Sequence, residues 1–196
     1  VADLSPEIIA KYQIPILPHK VRTEEGLFKD GQEIETQGIL KYMENPDHQV
    51  LPMGPSVREV EEFFSKQLTY ANNVIHISIS SKIEHSGYQP ALEASKSFDN
   101  VFVIDSAHLS SGQGLMALMA CRMAEAGLTA EQIVKELDVI KKKIHTSFIV
   151  DNLDFLARAN QVGNGTANIV KSVMGRPVLV LRKGKMGVGM TYFGSR

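Results

Sequence analysis

Two hydroxyl-rich turns are the places in this 196-residue chain where chemistry could be carried. The first is Ser80-Ser81-Lys82-Ile83-Glu84-His85-Ser86-Gly87, which follows the apolar run at 74–79. The second is Asp105-Ser106, which follows the apolar run at 101–104. Each run is short and β-branched and breaks off into a loop that opens a helix. In an open α/β sheet such loops lie at the carboxyl ends of strands, where hydroxyls and free backbone N–H groups receive anions. Ser86 and Gly87 are the first candidates for holding a ligand, with Ser81 and Ser106 beside them. Loop serines also form turns and caps, and that reading competes at each position. Asp105 has the right type for a general base, but no histidine is placed by sequence to pair with it, so loop structure is its expected role. His85 and His108 lie in the same loops without a second ligand at metal spacing, and no metal is expected.

These loops need a scaffold, and strand and helix signals alternate over the first three quarters of the chain. Ser5-Pro6 starts a helix, 14–17 reads as a short strand, 37–44 as a helix, and Ser56 with Glu59 three residues later forms a capping box for a helix through Phe64. The runs at 74–79 and 101–104 read as buried strands flanking a helix at 88–97, which is a βαβ unit with parallel strands. Ser110 or Ser111 opens a helix that Gly127 stops, and Thr129 with Gln132 caps the next one. Ile133, Leu137, Ile140 and Ile144 put one face of that helix in the core. Leu115, Met116, Leu118, Met119 and Met123 form a broad apolar face, read as core packing or as the wall of an acyl tunnel. Later signals are a strand at 147–150, a helix at 152–159, a loop at 160–166, a helix at 167–174, and strands at 178–181 and 188–193. The fold class is α/β, a mostly parallel sheet flanked by helices, with residues 1–143 as one domain and 144–196 as the start of a second.

Composition narrows the function. Charged residues make up 22% of the chain and the formal net charge is −1, so no nucleic-acid partner is implied; Lys141-Lys142-Lys143 reads as a solvated helix face. No apolar stretch approaches the ~20 residues of a membrane span. The one cysteine, Cys121, reads as a small core residue of a protein in a reducing, cytoplasmic compartment.

The order and wording of residues 74–106 resemble the DegV family of bacterial lipid-binding proteins. The resemblance continues through Ala2-Asp3-Leu4-Ser5-Pro6-Glu7, Ile14-Pro15-Ile16-Leu17-Pro18 and Pro52-Met53-Gly54-Pro55-Ser56. Downstream it takes in Ile149-Val150-Asp151-Asn152-Leu153-Asp154-Phe155-Leu156 and Gly175-Arg176-Pro177-Val178-Leu179. It implies a chain that lacks the family's first strand and much of its C-terminal part. It also implies non-catalytic binding of a long-chain fatty acid or related lipid between two domains, with no cofactor, and presentation of that lipid to a fatty acid kinase catalytic subunit. The family's Ser-Gly hydroxyl, which holds the head-group carboxylate, falls on Ser86, although this chain has one residue more before it. Pro52 and Met53 stand where the family has a Thr-Ser pair, and Gln161 stands where it has an arginine. Met53 and Gln161 are therefore lipid-site positions at which carboxylate capture is weakened, and a neutral or differently headed lipid is expected. The alternatives are a phosphotransfer enzyme of dihydroxyacetone-kinase-like architecture, for which His19, His85 or His108 would be the nucleophile, and a carrier of another small apolar ligand.

Overall fold

The structure is a computed structural model that describes residues 2–149 and 176–192. Its centre is the expected βαβ unit: β4 (Val74–Ser78), α4 (Tyr88–Ser95) and β5 (Val101–Asp105), with β4 and β5 parallel and Val74 opposite Val101. Alternation along both strands sorts the side chains onto two faces. Val74, Val101 and Val103 meet α3 (Val57–Gln67) and α4, where Val60, Phe64, Ala91 and Ala94 are fully buried. Ile75, Ile77 and Ile104 meet α5 (Ser110–Glu125) and α6 (Ala130–Ile140) around Met116, Ile133 and Leu137. Helices thus cover both faces of the parallel pair, and the loops at the strands' carboxyl ends are held on a rigid base.

Local chemistry sets the helix ends. Ser56 and Glu59 form the expected capping box of α3, and Thr129 and Gln132 that of α6. Glu59 also takes Lys20 Nζ at 2.6 Å, and these donors hold its carboxyl down at a pKa of about 2. Ser56→Ala removes the cap but leaves that ion pair, so we expect it to cost ~1 kcal/mol of stability, read as a lower denaturant midpoint at unchanged slope.

A second, antiparallel sheet was not foreseen. β1 (Lys20–Thr23) pairs with β2 (Gly26–Lys29) in a hairpin and with β3 (Leu51–Met53), and α2 (Thr36–Tyr42) packs beside it around Val21, Met43 and Val50. The strand expected at 14–17 does not form: the segment after α1 (Pro6–Tyr12) runs without a ladder until β1 begins at Lys20. Pro15 lies within the expected strand and Pro18 follows it directly, and neither has an N–H to donate.

The last described unit is an antiparallel sheet of β6 (Ser147–Ile149), β7 (Arg176–Arg182) and β8 (Lys185–Tyr192). Lys183 and Gly184 both have positive φ, 51° and 81°, as a two-residue hairpin turn needs. Ser80 Oγ donates to Gly184 O at 2.7 Å, tying this sheet to the parallel unit, and the Leu181 N–H donates to Thr146 O at 3.0 Å, extending the β6–β7 pairing by one residue. The helices expected at 152–159 and 167–174 lie outside the described residues. No described helix is long and apolar enough to cross a membrane.

Candidate functional site

Ser86 and Gly87 end the loop after β4 and open α4, with Gly87 at the N-cap in the left-handed region at φ 77°. The Tyr88 N–H donates to Ser86 Oγ at 3.3 Å. That bond uses an acceptor lone pair of the hydroxyl and leaves its O–H free to donate. The first-turn N–H groups of α4 add the positive end of a helix dipole to the same place. A donor hydroxyl on a helix N-terminus is a receiver for an oxygen anion.

The loop after β3 closes on this turn. A Cβ on Gly54 would stand 2.7 Å from His85 O and 2.8 Å from Gly87 N, and one on Gly87 would stand 2.9 Å from Pro55 Cδ. Backbone meets backbone here, so Gly54 is a packing requirement. His19, the residue before β1, lies on the other side, with its Nε2 3.8 Å from the same Gly87 Cβ position.

These groups stand at one end of a cavity of about 680 Å³ that follows the edge of β4 left open by β5. Every residue of 74–79 lines it, with 14–17 opposite, and His19, Pro55, Ser86 and Gly87 stand together at the loops. On α5 the lining residues are Gln113, Ala117, Ala120 and Cys121, one helical face of small side chains. Met116, Met119 and Met123 point the other way, into the core with Ile133 and Leu137. The methionine face is therefore packing, and the cavity wall is the small-residue face beside it. Gln113 Nε2 donates to Ile77 O at 2.9 Å, while its Oε1 is buried without a partner among the described residues. Burial also pushes the Cys121 thiol up.

Electrostatically the cavity has few charges. No described lysine or arginine lines it, and its basic groups are His19 and His76. Burial lowers the pKa of both. His76, held edge-on against Phe64 at 5.5 Å, falls to about 4, with the charge of His19 as a second, smaller cause. For His19 desolvation is the largest influence, opposed by Asp30 and by the Ser86 backbone. In sequence His19 is only a conceivable nucleophile; no local motif signals its position beside Gly87, which depends on the path of 14–19.

The other sequence-derived candidates are placed differently. Ser81 donates its hydroxyl in a very short hydrogen bond to Asp105, whose carboxylate also accepts from the backbone N–H groups of Ser81 (3.1 Å) and Ala107 (2.8 Å). Asp105 is thus a loop anchor, as expected, and Ser81 is its partner outside the cavity lining. Ser106 is fully buried; its Oγ donates to His108 O at 2.9 Å and accepts from the His108 N–H at 3.0 Å. Met53 ends β3 opposite Lys20 and does not line the cavity. Gln161 lies outside the described residues. His108 is buried between Lys141 O (2.9 Å) and Thr146 Oγ1 (2.8 Å). A carbonyl only accepts, so Nε2 carries the proton and Nδ1 accepts from the threonine. His85 pairs with Glu84 at 3.7 Å on the surface. Among the described residues no three His, Cys, Asp or Glu side chains group as a metal site would.

Comparison with known proteins gives a consistent picture. The family model described as "Uncharacterised protein, DegV family" matches residues 1–194. A DegV domain-containing protein of Clostridium perfringens is 32% identical over 191 residues, covering 95% of this chain and 67% of that protein. The chain also superposes on a solved DegV family protein from Thermus thermophilus, described for its fatty acid binding, with a TM-score of 0.88 and 25% identity over 98% of this chain and 69% of the other. A stearic-acid-binding protein from Eubacterium ventriosum gives 0.84 and 26% over 97% and 68%.

Proposed function

The chain belongs to the DegV family, and on that premise we propose that it is a non-catalytic carrier of a long-chain fatty acid or related lipid. The observation that carries this reading is the Ser86 hydroxyl. Its acceptor side is used by Tyr88 N, and its donor side is free at the cavity end where the Gly54 and Gly87 loops meet. Fatty acid binding by the Thermus and Eubacterium relatives supports the same reading. The head group is held by Ser86 and the N–H groups around Gly87. The acyl chain is buried where residues 1–143, as one domain, face the second domain that begins at 144–196. Burying ~15 methylenes at ~0.8 kcal/mol each gives roughly 12 kcal/mol gross, enough to offset association and head-group desolvation. The finer parts of the proposal are a cytoplasmic location, in keeping with a single cysteine, and delivery of the lipid to a separate fatty acid kinase subunit, which rests on the family resemblance. Ser81, Ser106 and Met53 enter as supports of the loops, and Gln161 as a position facing the head group.

Ser86→Ala tests this directly. A hydroxyl donating to a charged oxygen contributes ~1.5–3 kcal/mol, so palmitate affinity should fall roughly tenfold or more, while stability falls only by the ~0.5–1 kcal/mol of the lost Tyr88 N–H bond. Ser56→Ala, which loses a cap outside the site, should bind palmitate as the parent does. Equal affinities of Ser86→Ala and parent would remove Ser86 from the site.

A further inference from the structure

We propose that His19 reads the charge of the head group, taking up a proton from solvent as an anionic head group enters between its ring and the Ser86–Gly87 turn. This deepens the carrier reading and rests on it. An anion entering the cavity leaves water, yet no described lysine or arginine lines the walls. Of the cations nearest in sequence to His19 and Ser86, Lys20 is engaged with Glu59 at 2.6 Å, and Arg22 and Lys82 are not among the lining residues. Of the two lining histidines, His76 is packed against Phe64 within the sheet. His19 is half-buried, stands over Gly87, and is anchored through its carbonyl by the Asp30 N–H at 2.9 Å.

The groups around His19 set the direction of the linkage. Burial disfavours the charged ring most, and the positive amino group at residue 1 acts the same way, whereas Asp30, after β2, and the Ser86 backbone favour it. His76 faces it from β4 and would be repelled by it. Lys20 and Glu59 neutralise each other, and Glu84 on the loop lies 3.7 Å from His85. With burial the largest influence, the ring is biased towards its neutral form. A carboxylate arriving beside it adds the missing counter-charge and stabilises the imidazolium, which can then donate a charge-assisted hydrogen bond. Binding is then coupled to uptake of one proton, and affinity rises as pH falls by up to about tenfold per pH unit between the free and bound titration points of the ring.

The test uses hexadecanesulfonate, which stays anionic from pH 8 to pH 6, so that any pH effect belongs to the protein. We expect its affinity for the unaltered protein to rise roughly tenfold over that interval, and affinity for His19→Gln, whatever its absolute value, to be flat. Calorimetry in two buffers of different ionisation enthalpy should show fractional proton uptake in the parent and none in the variant. The ring resonances of His19 in the unaltered protein should titrate at higher pH with sulfonate bound, a readout that needs no folded variant. A flat profile in a parent protein that binds palmitate would overturn the role of His19 alone, as would an equal rise in His19→Gln. No binding of palmitate at any pH would overturn the carrier reading and this inference with it.

Discussion

Gly54→Ala is expected to lower palmitate affinity by more than tenfold and to destabilise the fold by ~2–3 kcal/mol. The added methyl would stand 2.7 Å from His85 O and 2.8 Å from Gly87 N. Neither atom is the end of a flexible side chain; both belong to the loop that presents Ser86. The strain can be relieved only by moving that loop away from Pro55 or by distorting β3, and overpacking of this kind typically costs ~1–3 kcal/mol. The same movement shifts the Ser86 hydroxyl and the N–H groups of α4, and hydrogen-bond strength falls steeply with misalignment. Gly127→Ala is the control: its φ of +83° makes it costly for folding, yet nothing lies within 4 Å of its Cβ position, so it should lose stability without losing affinity. Titration of a fluorescent fatty acid together with urea unfolding checks both. Unchanged affinity in Gly54→Ala would show that the Gly54 loop does not set the geometry of the binding turn.

A second large effect concerns acid. His76 sits in β4 against Phe64, and burial holds its folded pKa near 4, below its ordinary 6.5. The unfolded chain therefore binds a proton that the folded chain refuses. The stability associated with the neutral ring is complete above pH 6.5 and is lost as pH falls from 6.5 towards 4. A gap of that size corresponds to something on the order of 3 kcal/mol. His76→Phe, which keeps an aromatic ring in the pocket, should flatten this part of the profile and leave any remaining acid loss to carboxylates such as Glu59, which acts at lower pH. Denaturant midpoints at half-unit steps from pH 7 to pH 4 decide the matter. A slope retained in His76→Phe would assign the proton to another group.

The parallel unit was legible in the sequence because its signals are local: short β-branched runs, capping boxes at Ser56 and Thr129, and an i, i+4, i+7 apolar stripe from Ile133. The β1–β2 hairpin was missed because its strands are only four residues each and their alternation is weak. Residues 14–17 carry strand composition, but Pro15 and Pro18 forbid the ladder. At the site, Ser81, Ser86 and Ser106 look alike as loop serines. What separates them is where each hydroxyl points: Ser81 to Asp105, Ser106 to His108 O, and Ser86 to no described acceptor. That distinction arises only in three dimensions. The cavity face of α5 could have been found, since Gln113, Ala117, Ala120 and Cys121 recur at helical spacing, but the larger methionines beside them drew the assignment. His19 is visible in the sequence only as a conceivable nucleophile, and its place beside Gly87 left no local trace, because it comes from a proline-containing segment folding back onto a loop about seventy positions later.

The central claim is that the protein holds a lipid, and native mass spectrometry of protein purified from bacterial cells tests it most directly. The account predicts one bound molecule of fatty-acid or related lipid mass per chain, released on unfolding and identifiable after organic extraction. A chain that flies without an adduct, yields no stoichiometric lipid on extraction and gains no thermal stability from added palmitate would contradict it.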